Sequence, residues 1–307
     1  MGEQQLLGVI GATGKQGGSV INFVLNDSEL SKKFKVRAIT RDPKAPAARS
    51  LADRGVEVVK GDVEEPDILQ KALEGVDVLF AMTTMAIAAR TEFDVGKDVA
   101  DAAVEAGVKY LIFSTLPNAH KISSGKYSVP HFDNKAKTEG YIRSLPIKSS
   151  FFCPGLFMQN FLTLLTPQPQ NDGTYVLETT MQQDTKIPLI DVVKDAGNYV
   201  AAILANPDQY VGEVVFGASE YLNMEEIAQQ MSQVTGKTIK YRKADPLGFL
   251  NFLPDDTRND LLAMFAYYDD FGFYGDLTQQ AFTETTKSPR NHVASLKEFL
   301  NSNLLPL

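Results

Sequence analysis

Cysteine is almost missing from this chain: Cys153 is the single one in 307 residues. That excludes an intrachain disulfide and a cysteine-ligated metal site. Histidine is scarce too. His120, His131 and His292 show no metal-ligand spacing, so no metal is expected. No apolar run approaches the roughly 18–20 residues needed to span a bilayer, and no membrane partner is expected. A dense cluster of Lys and Arg is also lacking, and the net charge is −8. Direct contact with nucleic acid is therefore not expected. The first apolar strand starts within a few residues of Met1, which argues against a secretory leader. A reducing cytoplasmic compartment is the expectation, with the nucleus open as a second. Internal repeats and low-complexity segments are absent. What remains is 44% hydrophobic and 22% charged, ordinary for a globular protein with a sizeable core. The length allows one large domain or two ordinary ones.

The most informative stretch is Leu6 to Asn22, LLGVIGATGKQGGSVIN. A short apolar run opens it. Gly11, Gly14 and Gly17 follow in the pattern G-x-x-G-x-x-G, and a helical stretch with Val20, Ile21, Phe23, Val24 and Leu25 comes next. This reads as strand, tight turn, helix. The first glycine permits the turn, the second lets backbone approach a ligand, and the third lets helix and strand lie close. Free N–H groups at the helix start favour an anion there, and a dinucleotide pyrophosphate fits. Without a ligand the same residues would be a glycine-rich turn; their place between a clean strand and a clean helix favours the binding reading.

Strands continue to alternate with helices. Phe34 to Thr40 alternates as a second strand and ends at Arg41-Asp42-Pro43-Lys44. An acidic residue about 20 residues past the glycines holds ribose hydroxyls in NAD sites, whereas an Arg accommodates a 2′-phosphate. Arg41, with Lys44 near, favours NADP(H) over NAD(H). Val56 to Val59 is a third strand ending at Gly61-Asp62, where Asp62 can accept from an adenine amino group. Helices are expected over 65–74 and 91–107, with Gly107 as a C-cap. Strands are expected over 76–82, ending at Thr83-Thr84, and over 109–113, ending at Ser114-Thr115. This pattern predicts an α/β, doubly wound parallel sheet with right-handed crossovers and a ligand at the strands' carboxyl ends. Residues 116–130 read as a loop, 131–143 as a helix and 148–152 as a sixth strand. Beyond that the pattern weakens. Short strands near 174–178 and 213–216 mix with helices near 191–205, 223–235, 251–270 and 289–303. The expected division is a Rossmann domain over 1–153 and a smaller, partly discontinuous subdomain over 154–307 roofing a cleft.

GATGKQG at 11–17, VRAITRDP at 36–43, GDVEEP at 61–66, HFDNK at 131–135 and PGLFMQN at 154–160 together resemble the NmrA-like family. This is an atypical branch of the short-chain dehydrogenase/reductases, and the likeness covers nearly the whole chain. It is strongest to the branch holding the human NADPH-sensing member. The resemblance implies an extended Rossmann fold with a bound dinucleotide. It implies a cofactor site made by Gly11, Ala12, Thr13, Gly14, Lys15 and Gln16, by Arg41, by Asp62 and Val63, and by Thr83, Thr84 and Met85, to which the glycine pattern adds Gly17 and the strand end adds Lys44. Lys135 and the run Phe157, Met158, Gln159 and Asn160 complete it. Some relatives reduce small molecules with NADPH. Others are catalytically silent and report redox state to partner proteins.

Residues 131 and 135 decide between these. Short-chain dehydrogenases pair a Ser with Tyr-x-x-x-Lys: the Tyr donates a proton, the Lys holds the nicotinamide ribose and the Ser orients the carbonyl. This chain has Ser114 or Thr115 and Lys135, but His131 stands four residues before the lysine. Two readings follow, and the first is the one the sequence favours, with the second as its alternative. In the first, Lys135 keeps only a ribose contact and the protein is a redox-responsive sensor that regulates, transcription included, through a protein partner. In the second, Lys135 or His131 is the acid/base of an NADPH-dependent oxidoreductase, because His titrates near neutrality. Its substrate would be an apolar or aromatic small molecule in a pocket of Phe157, Met158, Phe161, Leu162 and Phe249. Cys153 reads as a buried, inert thiol.

Overall fold

The alternation that begins at residue 6 folds as a parallel sheet with helices on both faces. The computed structural model describes residues 4–84, 90–278, 281, 283 and 289–307. The first half runs β1 (Gln5–Ile10), α1 (Lys15–Asn26), α2 (Leu30–Lys33), β2 (Phe34–Thr40), α3 (Pro46–Ala52), β3 (Glu57–Lys60), α4 (Pro66–Ala72), β4 (Val78–Ala81), α5 (Glu92–Glu105), β5 (Tyr110–Ser114), α6 (Ala119–Ile122), α7 (Pro130–Ile142) and β6 (Lys148–Pro154). The second half runs β7 (Leu156–Phe157), β8 (Gln168–Pro169), β9 (Tyr175–Thr179), β10 (Lys186–Ile190), α8 (Val192–Ala205), β11 (Val214–Gly217), β12 (Glu220–Asn223), α9 (Met224–Thr235), β13 (Ile239–Lys243), α10 (Asp255–Phe271) and α11 (Leu296–Ser302).

The main sheet has seven strands in the order β11-β6-β5-β4-β1-β2-β3, and every pairing in it is parallel. Order reverses between β1 and β4, so a crevice opens beyond their carboxyl ends. One face is covered by α1 and α8, which bury Val20, Ile21, Val24, Ala196 and Val200. Contact there is close enough that a Cβ on Gly197 would lie 2.2 Å from the Ser19 carbonyl oxygen. The opposite face is covered by α4 and α5. At α5 a capping box sets the helix start: Thr91 Oγ1 accepts from the Asp94 N–H, and the Asp94 carboxylate accepts from the Thr91 N–H. Asp94 is thereby committed to the cap.

Two elements after residue 154 return to this layer: α8 packs on α1, and β11 extends the sheet beside β6. The rest of the second half makes two small three-stranded sheets, β12-β10-β7 and β13-β9-β8, around a third apolar cluster with α9, α10 and α11. No helix among the described residues is long and apolar enough to cross a membrane.

Several local expectations need correction. Residues 116–130 contain α6, whose start Asn118 caps through its side chain. The last helix begins at Leu296 rather than near 289, because Ser295 and Glu298 form its capping box. The 213–216 strand belongs to the main sheet. Helix α3 and strands β10 and β13 were not legible in the pattern: α3 is one short stretch behind Pro46, and β13 exposes most of its residues.

Candidate functional site

The site starts at the glycine turn. Gly11 has φ +70°, in the left-handed region open to glycine, and its carbonyl oxygen accepts from the Gly14 N–H at 2.8 Å. A Cβ on Gly17 would fall 2.3 Å from that same oxygen. Bare backbone is therefore required for α1 to lie against the turn. Gly14 caps α1 without a side-chain hydrogen bond, and no acidic residue lies in the first turn. The first N–H groups of the helix are left to whatever enters, with the positive end of its dipole behind them. An anion is the species that fits.

A cleft of about 250 Å³ runs from this turn across the sheet edge. Gly11, Thr13 and Gly14 line it, with Arg41, Asp62 and Val63 at one end and Thr83 and Thr84 at the other. Arg41 is exposed and has no ion pair among the described residues. Asp42 turns its carboxylate onto its own chain, accepting the Lys44 N–H at 2.8 Å.

Met82, Thr83 and Thr84 are shared with a second cavity of about 310 Å³. Gln16 and Ser114 meet at its floor, the Ser114 hydroxyl donating to Gln16 Oε1 at 2.8 Å. Leu116, Leu156, Phe157 and Leu165 form apolar walls, and Leu261, Met264, Phe265 and Tyr268 of α10 form the roof. Lys135 and His131, one turn apart on α7, both line it. The Lys135 ammonium is buried. It pairs with the buried Glu92 carboxylate and donates to the Thr83 carbonyl oxygen at 2.9 Å. Burial draws the Lys135 pKa below the ordinary lysine value, with Glu92 opposing. The His131 ring meets Asp260 of α10, Nδ1 to Oδ2 at 2.5 Å. Cys153 is buried, and burial pushes its thiol pKa well above the usual value.

The expected site residues thus divide. Gly11, Thr13, Gly14, Arg41, Asp62, Val63, Thr83 and Thr84 meet in the cleft. Gln16, His131, Lys135, Phe157 and Asn160 meet in the cavity next to it. Ala12, Lys15 and Gly17 build the turn and first helical residues without lining either space. Lys44 is exposed beyond the cleft. Met158 lines neither space: it is fully buried in the C-terminal apolar cluster. Gln159 lines neither space, and its amide holds the start of α8, donating to Asp191 Oδ1 and accepting from the Val192 N–H. Met85 lies outside the described residues. Of the expected pocket residues only Phe157 lines the cavity; Phe161 is buried in the core, and Leu162 and Phe249 pack against it elsewhere. Glu92 and Asp260 were missed. They lie 43 and 129 residues from their partners in sequence, and neither sits in a recognisable motif.

The family model described as the NmrA-like family matches residues 3–300. An NmrA-like family domain-containing protein of Dictyostelium discoideum is 32% identical over 275 residues, covering 87% of this chain and 89% of that one. The NmrA-like family domain-containing oxidoreductase FrzB of a Cladobotryum species is 31% identical over 261 residues, covering 78% and 76%. Among solved structures, NmrA, a negative transcriptional regulator, in complex with NADP superposes with a TM-score of 0.82 at 23% identity, covering 99% of this chain and 96% of that one. The Citrobacter sp. triphenylmethane reductase complexed with NADP(H) gives 0.78 at 22% identity, covering 96% and 99%. These two show a common fold. With a family match over nearly its whole length, this chain belongs to the NmrA-like family.

Proposed function

We propose that the chain binds NADP(H) in the cleft at the carboxyl ends of the strands and reduces an apolar or aromatic small molecule in the adjoining cavity. The observation that carries this is the shared wall: Met82, Thr83 and Thr84 face both spaces, so a ligand along the glycine turn abuts whatever fills the apolar cavity. The residues fit such a ligand. The turn has no room for a Cβ at Gly17, the start of α1 has no side-chain cap, and Arg41, without an ion pair among the described residues, lines the far end of the cleft. Arg41 favours the phosphorylated dinucleotide by a charge-assisted hydrogen bond. That the FrzB relative is named an oxidoreductase supports the reductase reading, and that neighbouring structures hold NAD, NADP or NADP(H) supports a dinucleotide in the cleft.

When bound, a reduced nicotinamide dinucleotide supplies a hydride. The chain's residues do the rest. Leucine and aromatic side chains of β7 and α10 exclude water and hold an apolar acceptor. Lys135, anchored on Thr83 and Glu92, presents a fixed cation beside the strand end. His131 supplies or takes up the proton that a reduced C=N, C=O or conjugated C=C acceptor requires. The protein would act inside the cell, where such dinucleotides are kept reduced.

A second reading is favoured by one observation. The Lys135 amine is already ion-paired and hydrogen-bonded, and no Tyr stands at position 131. A redox-responsive regulator acting through a protein partner would need binding alone. The test is NADPH oxidation by the purified protein over a panel of aldehydes, imines and quinones. Oxidation with an apolar member supports the reductase. No turnover, with NADPH and NADP+ binding at clearly different affinities, replaces it with the regulator.

A further inference from the structure

From the apolar roof comes one carboxylate with no evident structural duty. Asp260 sits on α10, is 4% exposed, and among the described residues has a single hydrogen-bond partner, the His131 ring. Its other oxygen, Oδ1, has no hydrogen-bond partner among the described residues. A buried carboxylate is costly unless paired, so a residue kept there for packing alone would not be an Asp. Its neighbours on the same helix, Leu261, Met264 and Phe265, line the cavity.

The pairing has a chemical consequence. With Asp260 on Nδ1, the ring carries its proton there and the opposite nitrogen, Nε2, is left as the exchanging atom. Nε2 has no hydrogen-bond partner among the described residues, and the ring lines the cavity. Phe132 packs edge-on against the ring with centroids 4.8 Å apart, which fixes its plane. Other titratable groups on this wall are Lys135, one turn along α7, and Tyr268 on α10. Lys135 is held by Glu92 and Thr83 and leaves the ring to Asp260.

We propose that His131 and Asp260 form a proton-transfer dyad, in which His131 Nε2 donates to the substrate heteroatom or carbon and Asp260 is its positioning residue. This rests on the reductase reading given above. The step balances: the reduced dinucleotide gives the hydride with its electron pair, the imidazolium gives the Nε2 proton, and a neutral Nδ1–H imidazole stays bonded to the Asp260 carboxylate until solvent reprotonates it. The sites are drawn from helices 129 residues apart in sequence, so the roof helix completes the site only in the folded chain.

The experiment uses the full chain, wild type and Asp260→Asn, with nitrogen-15-labelled histidine. NMR shifts of the ring nitrogens report the tautomer. Expected for the neutral ring, at a pH above the loss of the imidazolium proton, is Nδ1–H in the wild type and Nε2–H in Asp260→Asn, because an amide can turn its NH₂ to Nδ1. Turnover with NADPH and the best acceptor of the panel should fall about 10- to 100-fold in kcat, with KM and NADPH affinity held. A ring with the same tautomer in both proteins overturns the dyad, as does an unchanged kcat. Asp260→Ala, run alongside, separates misfolding from chemistry: its thermal transition shows whether the roof survives. If the wild type neither binds NADPH nor turns over, the reductase reading fails, while an unchanged tautomer condemns the dyad by itself.

Discussion

Adjacent glycines in α1 give a sharp test of the cradle. Gly17 and Gly18 differ by one position, yet their surroundings are opposite. A Cβ at Gly17 would lie 2.3 Å from the Gly11 carbonyl oxygen, 2.7 Å from its carbon and 3.0 Å from the Ala12 Cα. All three are backbone atoms of the turn, so relief requires moving the turn or the helix. A Cβ at Gly18 would meet only the Ala12 oxygen, at 3.5 Å, an ordinary contact. Overpacking of the first kind costs about 1–3 kcal/mol. In the second case the helix gains from losing a glycine, by about 0.5–1 kcal/mol. Gly17→Ala should therefore lower the thermal midpoint by about 1.5–5 °C, at about 1.5 °C per kcal/mol for an unfolding entropy of about 2.1 cal/mol/K per residue over 307 residues, and Gly18→Ala should leave it level or raised. Calorimetric titration should show NADPH binding weakened at least about tenfold in Gly17→Ala, a loss of about 1.4 kcal/mol, and nearly kept in Gly18→Ala. Equal behaviour of the two variants, in stability and in binding, would refute the claim that close backbone approach at Gly17 shapes the anion cradle.

Further expectations concern three other positions. Arg41→Ala should weaken NADPH by about 10- to 150-fold, from a charge-assisted bond of roughly 1.5–3 kcal/mol, and leave NADH nearly unchanged; equal losses in parallel titrations would remove Arg41 from phosphate selection. Lys135→Met strands the buried Glu92 and should cost about 3–5 kcal/mol in urea unfolding, much of it recovered in Lys135→Met/Glu92→Leu; a double variant no more stable than the single would contradict a paired arrangement. Asp195, buried and next to Asp191, has its pKa pushed up to about 6, chiefly by burial. Between the unfolded carboxyl value and about 6 the folded chain holds the extra proton, so this group's contribution falls as pH rises through that window and stays lost above it. Asp195→Asn should thus gain on the wild type at pH 8 and match it near pH 4, by at most about 3 kcal/mol. The opposite sign in unfolding titrations would sink the assignment.

The first half of the chain was legible because its signals are local. Strand ends at Thr40, Ala81 and Ser114 lie at or within two residues of where the short apolar runs end, and the sheet topology then gathers them. The glycine turn was legible for the same reason. The cavity was not. Its roof is α10, whose apolar residues read only as a helix packed on a core, and no local pattern says that Leu261 and Phe265 face a cavity instead. Met158 and Gln159 show the converse error. They adjoin Phe157 and Asn160, which do line the cavity, but the short 3-10 helix there turns Met158 into the core and Gln159 toward α8. Neighbours in sequence are not neighbours in space here. Asp260 and Glu92 lay beyond reach because an ion pair between distant helices leaves no trace in spacing.

The central claim is that the cleft beside the glycine turn holds a phosphorylated dinucleotide. Calorimetric titration of the purified, nucleotide-stripped protein with NADPH, NADP+, NADH and NAD+ tests it most directly. The account predicts saturable binding of NADPH and NADP+, with the non-phosphorylated pair at least about tenfold weaker, equivalent to about 1.4 kcal/mol. Absence of binding by all four would contradict the cleft's assignment, and equal binding of NADH and NADPH would contradict the role given to Arg41.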